Sequence, residues 1–134
     1  MPSTIVLKGG FIRKEGEASS AITPGHLIQF GGVNDLEVHQ TVGGAARRAF
    51  ALENDLIGKG IDDAYAAGDS VEYGVFHQGA EVYALVTGAV SLGDALESHG
   101  DGTLHPSSTA LPESVVAWAL ETVSVTGRCK VEVA

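Results

Sequence analysis

Histidine and carboxylate residues cluster in one stretch of the sequence, where metal binding is the first chemistry to consider. His99 and His105 bracket Asp101, and Glu97 lies nearby. A transition-metal site needs several converging ligands, two of them usually closely spaced on one element. Because glycines interrupt this stretch and its spacing is irregular, we interpret these residues as solvated turn residues and predict no metal site.

Calcium binding and nucleophilic catalysis are also disfavoured in this stretch. The segment ESHGDGT lacks the alternating oxygen ligands and the final Glu of an EF-hand loop. Ser98 and His99 are neighbours, and neighbouring residues of a strand point to opposite faces, so they cannot form a relay. The glycine pairs in GGVND and GGAAR do not match phosphate-binding spacings. We therefore expect no catalytic, cofactor-binding or metal-binding residues, and a protein that is not an enzyme. The carboxylates are numerous, so their number alone does not exclude a glycosidase-like carboxylate pair.

Composition limits the partners. The chain has 134 residues, of which 44% are hydrophobic, and it carries a net charge of −9. That length fits one domain with a core. The charge disfavours nucleic acid and anionic membranes, because both attract basic surfaces. Cys129 is the single cysteine, so no internal disulfide is possible, and we expect a buried, unreactive thiol and folding in a reducing compartment.

Short alternating apolar runs, separated by glycine-containing corners, predict an all-β fold. Residues 45–53 fit a helix or a strand, and we favour a strand. Residues 54–68 lack periodicity and predict an extended loop, with one helical turn at residues 62–67. The predicted strands cover residues 26–30, 36–42, 70–77, 80–87, 95–98, 115–123 and 128–133.

Residues 1–20 predict a separate segment. An apolar run, TIVL, precedes a polar, glycine-containing stretch, which is typical of a flexible N-terminal arm that becomes ordered against a neighbour. An ordinary edge strand with a frayed loop is the alternative. Residues 21–134 then form a single β-rich domain. No apolar stretch is long enough for a membrane span, and the N-terminus lacks the apolar core of a signal peptide.

From Phe50 onward the chain resembles the head decoration (capsid cement) proteins of tailed bacteriophages and related viruses. Three segments carry the resemblance in order: FALENDLIGKGIDDAYAAGDSVEYGVFHQGAEVYALV, GDALESHGDGTL and WALETVSVTGRCKVEVA. TPGHLIQF followed by VHQTVGG fits the same pattern. Each segment alone contains only common turn sequences. The resemblance is specific because the segments occur in the same order over about two thirds of the chain.

The resemblance implies a compact β-clip or β-tulip-like barrel or sandwich with short hairpins, little helix and commonly a trimeric state. It implies a virion structural protein on the capsid exterior, made in the host cytoplasm. Its partner would be the major capsid protein, whose neighbouring subunits it bridges on the outer surface of the assembled capsid. It implies no cofactor. A β-rich module for host or carbohydrate attachment, and a small β-clip enzyme, are the alternatives.

Two apolar groups are the candidates for contact with the capsid or with another copy of the chain. One lies on the predicted arm and the other in the loop at residues 54–65, where the alternative is that the side chains cap the domain's own core. The candidates are Ile5, Leu7, Phe11, Ile12, Leu56, Ile57, Ile61 and Tyr65.

Overall fold

The computed structural model describes residues 2–32 and 35–134, and within them the chain is almost entirely β-structure. Met1 of the predicted arm, and Val33 and Asn34 of the GGVND segment, lie outside the described residues. A single turn of 3-10 helix, Asp55–Ile57, accompanies the strands. The strands are β1 (Val6–Lys8), β2 (Phe11–Ala18), β3 (Ile28–Gly32), β4 (Asp35–Val38), β5 (Ala49–Ala51), β6 (Ser70–Phe76), β7 (Glu81–Val86), β8 (Ala95–Ser98), β9 (Leu104–Pro106), β10 (Ala117–Ala119) and β11 (Gly127–Val133). The predicted all-β class is confirmed.

Five strands of one sheet close into a small barrel in the order β7-β11-β10-β8-β9. A parallel pairing of Val86 with Leu104 joins β9 to β7 and completes the ring. β1 adds to the other end of β7 as a sixth strand. Alternating residues of β7, Val82, Ala84 and Val86, are fully buried in the barrel core, as their sequence pattern predicts. Closure leaves few unpaired strand edges in this half of the molecule.

The other sheet has five strands in the order β3-β4-β2-β6-β5 and covers a second, smaller core. Most of its pairings are antiparallel, but β2 and β4 run parallel. A single bridge between Leu27 and Phe50 connects the start of β3 to β5. The buried residues of this core include Ile22, Leu36 and Tyr73.

β5 lies between the two cores and explains the ambiguous pattern at residues 45–53. Phe50 belongs to the barrel core, whereas Ala49 and Ala51 belong to the second core. A strand buried on both faces shows a continuous apolar run instead of alternation. The favoured interpretation of this segment as a strand is therefore confirmed for Ala49–Ala51.

The N-terminal segment belongs to both sheets, which corrects the expectation of a flexible arm. β1 pairs with β7, and β2 pairs with β6 on one side and β4 on the other. Only β1 lies at a sheet edge, whereas β2 is internal. The polar residues of β2 predicted a solvated arm, yet they lie on an exposed strand whose backbone pairs with β6 from Phe11 to Glu17 and with β4 at Glu17 and Ala18.

Local turn chemistry changes two further predictions. The helical turn forms at Asp55–Ile57 rather than at residues 62–67, because Gly58 adopts φ 78° and its N–H donates to the Asp55 carbonyl. In the predicted strand 115–123, regular pairing is limited to β10. Beyond it, Val123 forms an isolated bridge with Val90.

Candidate functional site

The loop at residues 54–68 projects between β5 and β6 and presents two adjacent apolar side chains. Leu56 and Ile57 lie on the 3-10 turn and are 76% and 68% exposed. Backbone bonds close the turn: the N–H groups of Ile57 and Lys59 both donate to the Asn54 carbonyl, at 3.3 and 3.0 Å. The pair is therefore displayed on an ordered turn.

Two aspartates fold the remainder of this loop. One Asp63 carboxylate oxygen accepts the Gly60 N–H at 2.7 Å, and one Asp69 oxygen accepts the Ala66 N–H at 2.8 Å. Such side-chain-to-backbone bonds replace a regular ladder in turns. They explain why a segment without periodicity still has a defined course.

Arg128, on β11 of the barrel, holds the loop at residues 54–68 in place through contacts of its guanidinium. Its guanidinium donates to the Ile61 carbonyl at 2.5 Å and to the Pro24 carbonyl at 2.8 Å. The same group lies 3.5 Å from Asp62 and 5.8 Å from the centre of the Tyr83 ring. One side chain thus joins the barrel, the turn before β3 and the candidate loop.

Tyr65 is the second anchor. Its ring is buried in the second core, its hydroxyl donates to the Leu52 carbonyl at 2.7 Å, and its backbone pairs with Ile22. Burial raises the pKa of this hydroxyl to about 12. Tyr65 was predicted as a contact residue, but it faces the domain's own core.

The other predicted contact residues divide between interior and surface. Ile5 is fully buried, and Ile61 packs against the barrel core, so these two side chains stabilise the domain itself. Phe11 is partly buried and stacks on Phe76 with ring centres 5.2 Å apart, and Leu7 is partly buried. The candidates with large exposed side chains are Ile12, Leu56 and Ile57.

The structure does bring the start of the predicted arm next to the loop. Pro2 and Ser3 line a shallow groove together with residues 60–63. Ile5 lies just beyond this groove, and its N–H donates to the buried Glu53 carboxylate at 2.9 Å. The N-terminal residues and the loop therefore form one continuous surface.

Ser98 pairs with a histidine that sequence proximity does not indicate. Its hydroxyl lies 2.7 Å from Nδ1 of His39, and both residues are buried. Nε2 of His39 lies 3.1 Å from the Ala45 carbonyl, which only accepts, so the imidazole donates there and its Nδ1 accepts the Ser98 proton. Ser98 has no exposed surface, and both ring nitrogens of His39 have hydrogen-bond partners. This pair is therefore a structural contact between the two sheets.

His99, His105 and Glu97 form a second chain of contacts. The Nδ1 atoms of the two histidines are 2.9 Å apart, and Nε2 of His105 donates to Glu97 at 2.9 Å. The bond from His105 is the main reason that the pKa of Glu97 lies below its usual value. Among residues 2–32 and 35–134, no three His, Cys, Asp or Glu side chains are arranged to hold a metal ion.

Sequence analysis missed the exposed tryptophan of β10. Trp118 is 42% exposed on the outer face of β10 and lines a groove with Arg48 and Gln78. Its alternation with buried Ala117 and Ala119 was the available signal, since a strand places neighbours on opposite faces.

No helix in the described part of the chain has the length and apolar character needed to cross a membrane.

Comparison with known proteins gives a likeness in fold to a solved structure. No protein-family model matches the chain, and no curated protein matches it either. The crystal structure of the head fiber gp8.5 N base in bacteriophage phi29 is similar, with a TM-score of 0.66 at 13% sequence identity. The similarity covers 93% of this chain and 95% of that chain. At this identity the likeness concerns the fold, and it extends through both sheets.

Proposed function

We propose that this protein is a structural component of a phage head, which binds the outer surface of the assembled capsid and bridges neighbouring major capsid subunits. The observation that carries the proposal is the fold shared, over nearly the whole of both chains, with the base of a phage head fiber. Fold alone does not specify function, so the proposal also depends on the surface. We propose that the ordered loop with its exposed apolar pair, Leu56 and Ile57, is part of the docking surface.

The mechanism of stabilisation would be mass action. A protein that binds the assembled shell, and not its dissociated or unexpanded forms, lowers the free energy of the shell by its binding free energy. The contacts are repeated over a closed lattice, so modest individual affinities add through effective concentration. We propose a homotrimer, which would present three copies of the contact surface at once. No catalytic step or cofactor is part of this mechanism.

Cosedimentation with capsids tests the proposal directly. Purified protein is added to capsids of the source virus that lack it, and bound protein is measured against concentration. We expect saturable binding, a higher temperature of capsid disruption, and density on the outer surface by electron microscopy. Light scattering during size exclusion gives the oligomeric state. Absence of saturable binding to the capsids would refute the proposal.

Attachment to a host glycan is the alternative with an observation behind it, namely the exposed Trp118. Aromatic rings provide apolar faces for stacking, and Gln78 lies in the same groove. However, Arg48 donates to the carbonyls of Ala46 and Val115, so its guanidinium is already engaged by the backbone. Glycan-array binding that disappears in Trp118→Ala, without capsid binding, would favour this function.

A further inference from the structure

The most exposed large apolar side chain in the described residues, Leu56, lies directly beside Ile57 on the loop at residues 54–68. Val125 and Leu92 are comparably exposed, at 69% and 66%, but no other two consecutive residues of the described chain are both large, apolar and exposed. Phe30, which is also exposed, has the Arg47 guanidinium 4.9 Å above its ring and the edge of Tyr73 against it. Leu56 and Ile57 therefore form an exposed apolar pair that is continuous along the chain.

The rigidity of this turn favours docking. The turn is closed by backbone bonds to Asn54 and Asp55, and its base is fixed by Arg128 on the Ile61 carbonyl. A segment that is already ordered loses little conformational entropy when a partner covers it. We refer to Leu56 and Ile57 on this turn as the apolar tip.

The charges around the apolar tip indicate what covers it. Residues 54–69 carry four aspartates and one lysine: Asp55, Asp62, Asp63, Asp69 and Lys59. Asp62 is 91% exposed, and its only ion pair among the described residues is with Arg128, at 3.5 Å. Two copies of this acidic loop brought together would repel each other, since the whole chain already carries −9. A basic partner surface would be attracted.

We infer that the apolar tip inserts into an apolar hollow with a basic rim on the capsid protein, and that copies of this chain associate through a different surface. This inference rests on the proposed function and adds the chemistry of the partner site to it. The apolar contact supplies affinity, while the aspartates steer the approach and make binding sensitive to salt.

The test uses the full chain, capsids of the source virus, and a matched pair of double variants. Leu56→Ser with Ile57→Ser removes the apolar tip. Leu92→Ser with Val125→Ser removes two side chains of similar exposure, 66% and 69%, elsewhere on the surface. We expect capsid affinity to fall roughly 100-fold in the first variant, about tenfold for each apolar side chain lost from a contact, and to be unchanged in the second.

Two further measurements identify the occupant. Capsid affinity of the wild-type chain should fall as salt rises from 50 to 300 mM, roughly, and Asp55→Asn should weaken this salt dependence. The oligomeric state by light scattering should be the same in the wild-type chain and in both double variants. A first variant that no longer self-associates would overturn the inference, because a second copy would then be the occupant.

The possible failures are distinguishable. If the wild-type chain binds capsids and the variant without the apolar tip binds equally well, this inference is wrong while the proposed function stands. If the wild-type chain itself does not bind capsids, the proposed function is wrong and the inference falls with it. Circular dichroism and thermal unfolding establish that each variant is folded, which is expected because the changed side chains are exposed.

Discussion

Replacing Arg128 by alanine should loosen the candidate loop and destabilise the domain by a measurable amount. The substitution removes donors from the Pro24 and Ile61 carbonyls, which now accept at 2.8 and 2.5 Å. A hydrogen bond from a charged donor contributes about 1.5–3 kcal/mol. Water can replace part of the bond to Ile61, which is half-buried, but not the bond to the buried Pro24, and the pair with the exposed Asp62 contributes little. We therefore expect a loss of roughly 2 kcal/mol in the free energy of unfolding.

The assays are urea unfolding and thermal unfolding at neutral pH, combined with amide hydrogen exchange. For a domain of this size the expected loss lowers the melting temperature by roughly 6–10 °C. Exchange should accelerate at the Gly60 and Asp63 amides, which lie beside the lost anchor and donate within the loop. Arg128→Lys should recover about half of the loss, because a single ammonium reaches only one of the two carbonyls at a time.

The control is Arg13→Ala on the other sheet. Arg13 is 40% exposed and lies 3.6 Å from Glu72, so its removal should cost less than about 1 kcal/mol. Our reasoning about Arg128 would be refuted if Arg128→Ala unfolded within 0.5 kcal/mol, roughly, of the wild-type chain. Unchanged exchange at the loop amides would refute it as well.

Three further outcomes follow from the structure. Gly9→Ala should lower the free energy of unfolding by more than about 2 kcal/mol in urea titrations, because Gly9 has φ 94° and an added Cβ would lie 2.8 Å from Ala80 Cα. Burial lowers the pKa of His26 below its usual value of 6.5. The stability that neutral His26 contributes is therefore present above pH 6.5 and is lost as the pH falls through the lowered pKa. His26→Asn can still accept the Thr23 N–H, and it should flatten the decline in melting temperature between neutral and acidic pH. Burial raises the pKa of Cys129 to about 11, so a thiol reagent at pH 8 should modify it only in denaturant; rapid modification of the folded protein would contradict its burial.

The sequence predicted four strands well, three of them in the barrel, because their pattern is local, but it predicted no strand at β9 of the barrel. β6, β7, β8 and β11 were each predicted within a residue at either end, and alternation correctly assigned the buried face of β7. Glycine corners at residues 68–69 and 93–94 end the loops before β6 and β8, as turn chemistry predicts. Lack of periodicity predicted the loop at residues 54–68, and two of the contact residues predicted there, Leu56 and Ile57, are exposed.

The placement of polar and mixed segments depended on contacts between residues far apart in the chain. β2 looked like an arm because its outer face is polar, and only its pairing with β6 and β4 makes it internal. His39 contacts Ser98 across 59 positions of sequence, and Arg128 reaches Ile61 across 67. Tyr65 and Ile57 share one loop, yet the first is buried and the second exposed, because backbone pairing with Ile22 turns Tyr65 toward the second core. Local pattern fixes which face of a strand is apolar, whereas the closing of the sheets decides which surfaces remain free for a partner.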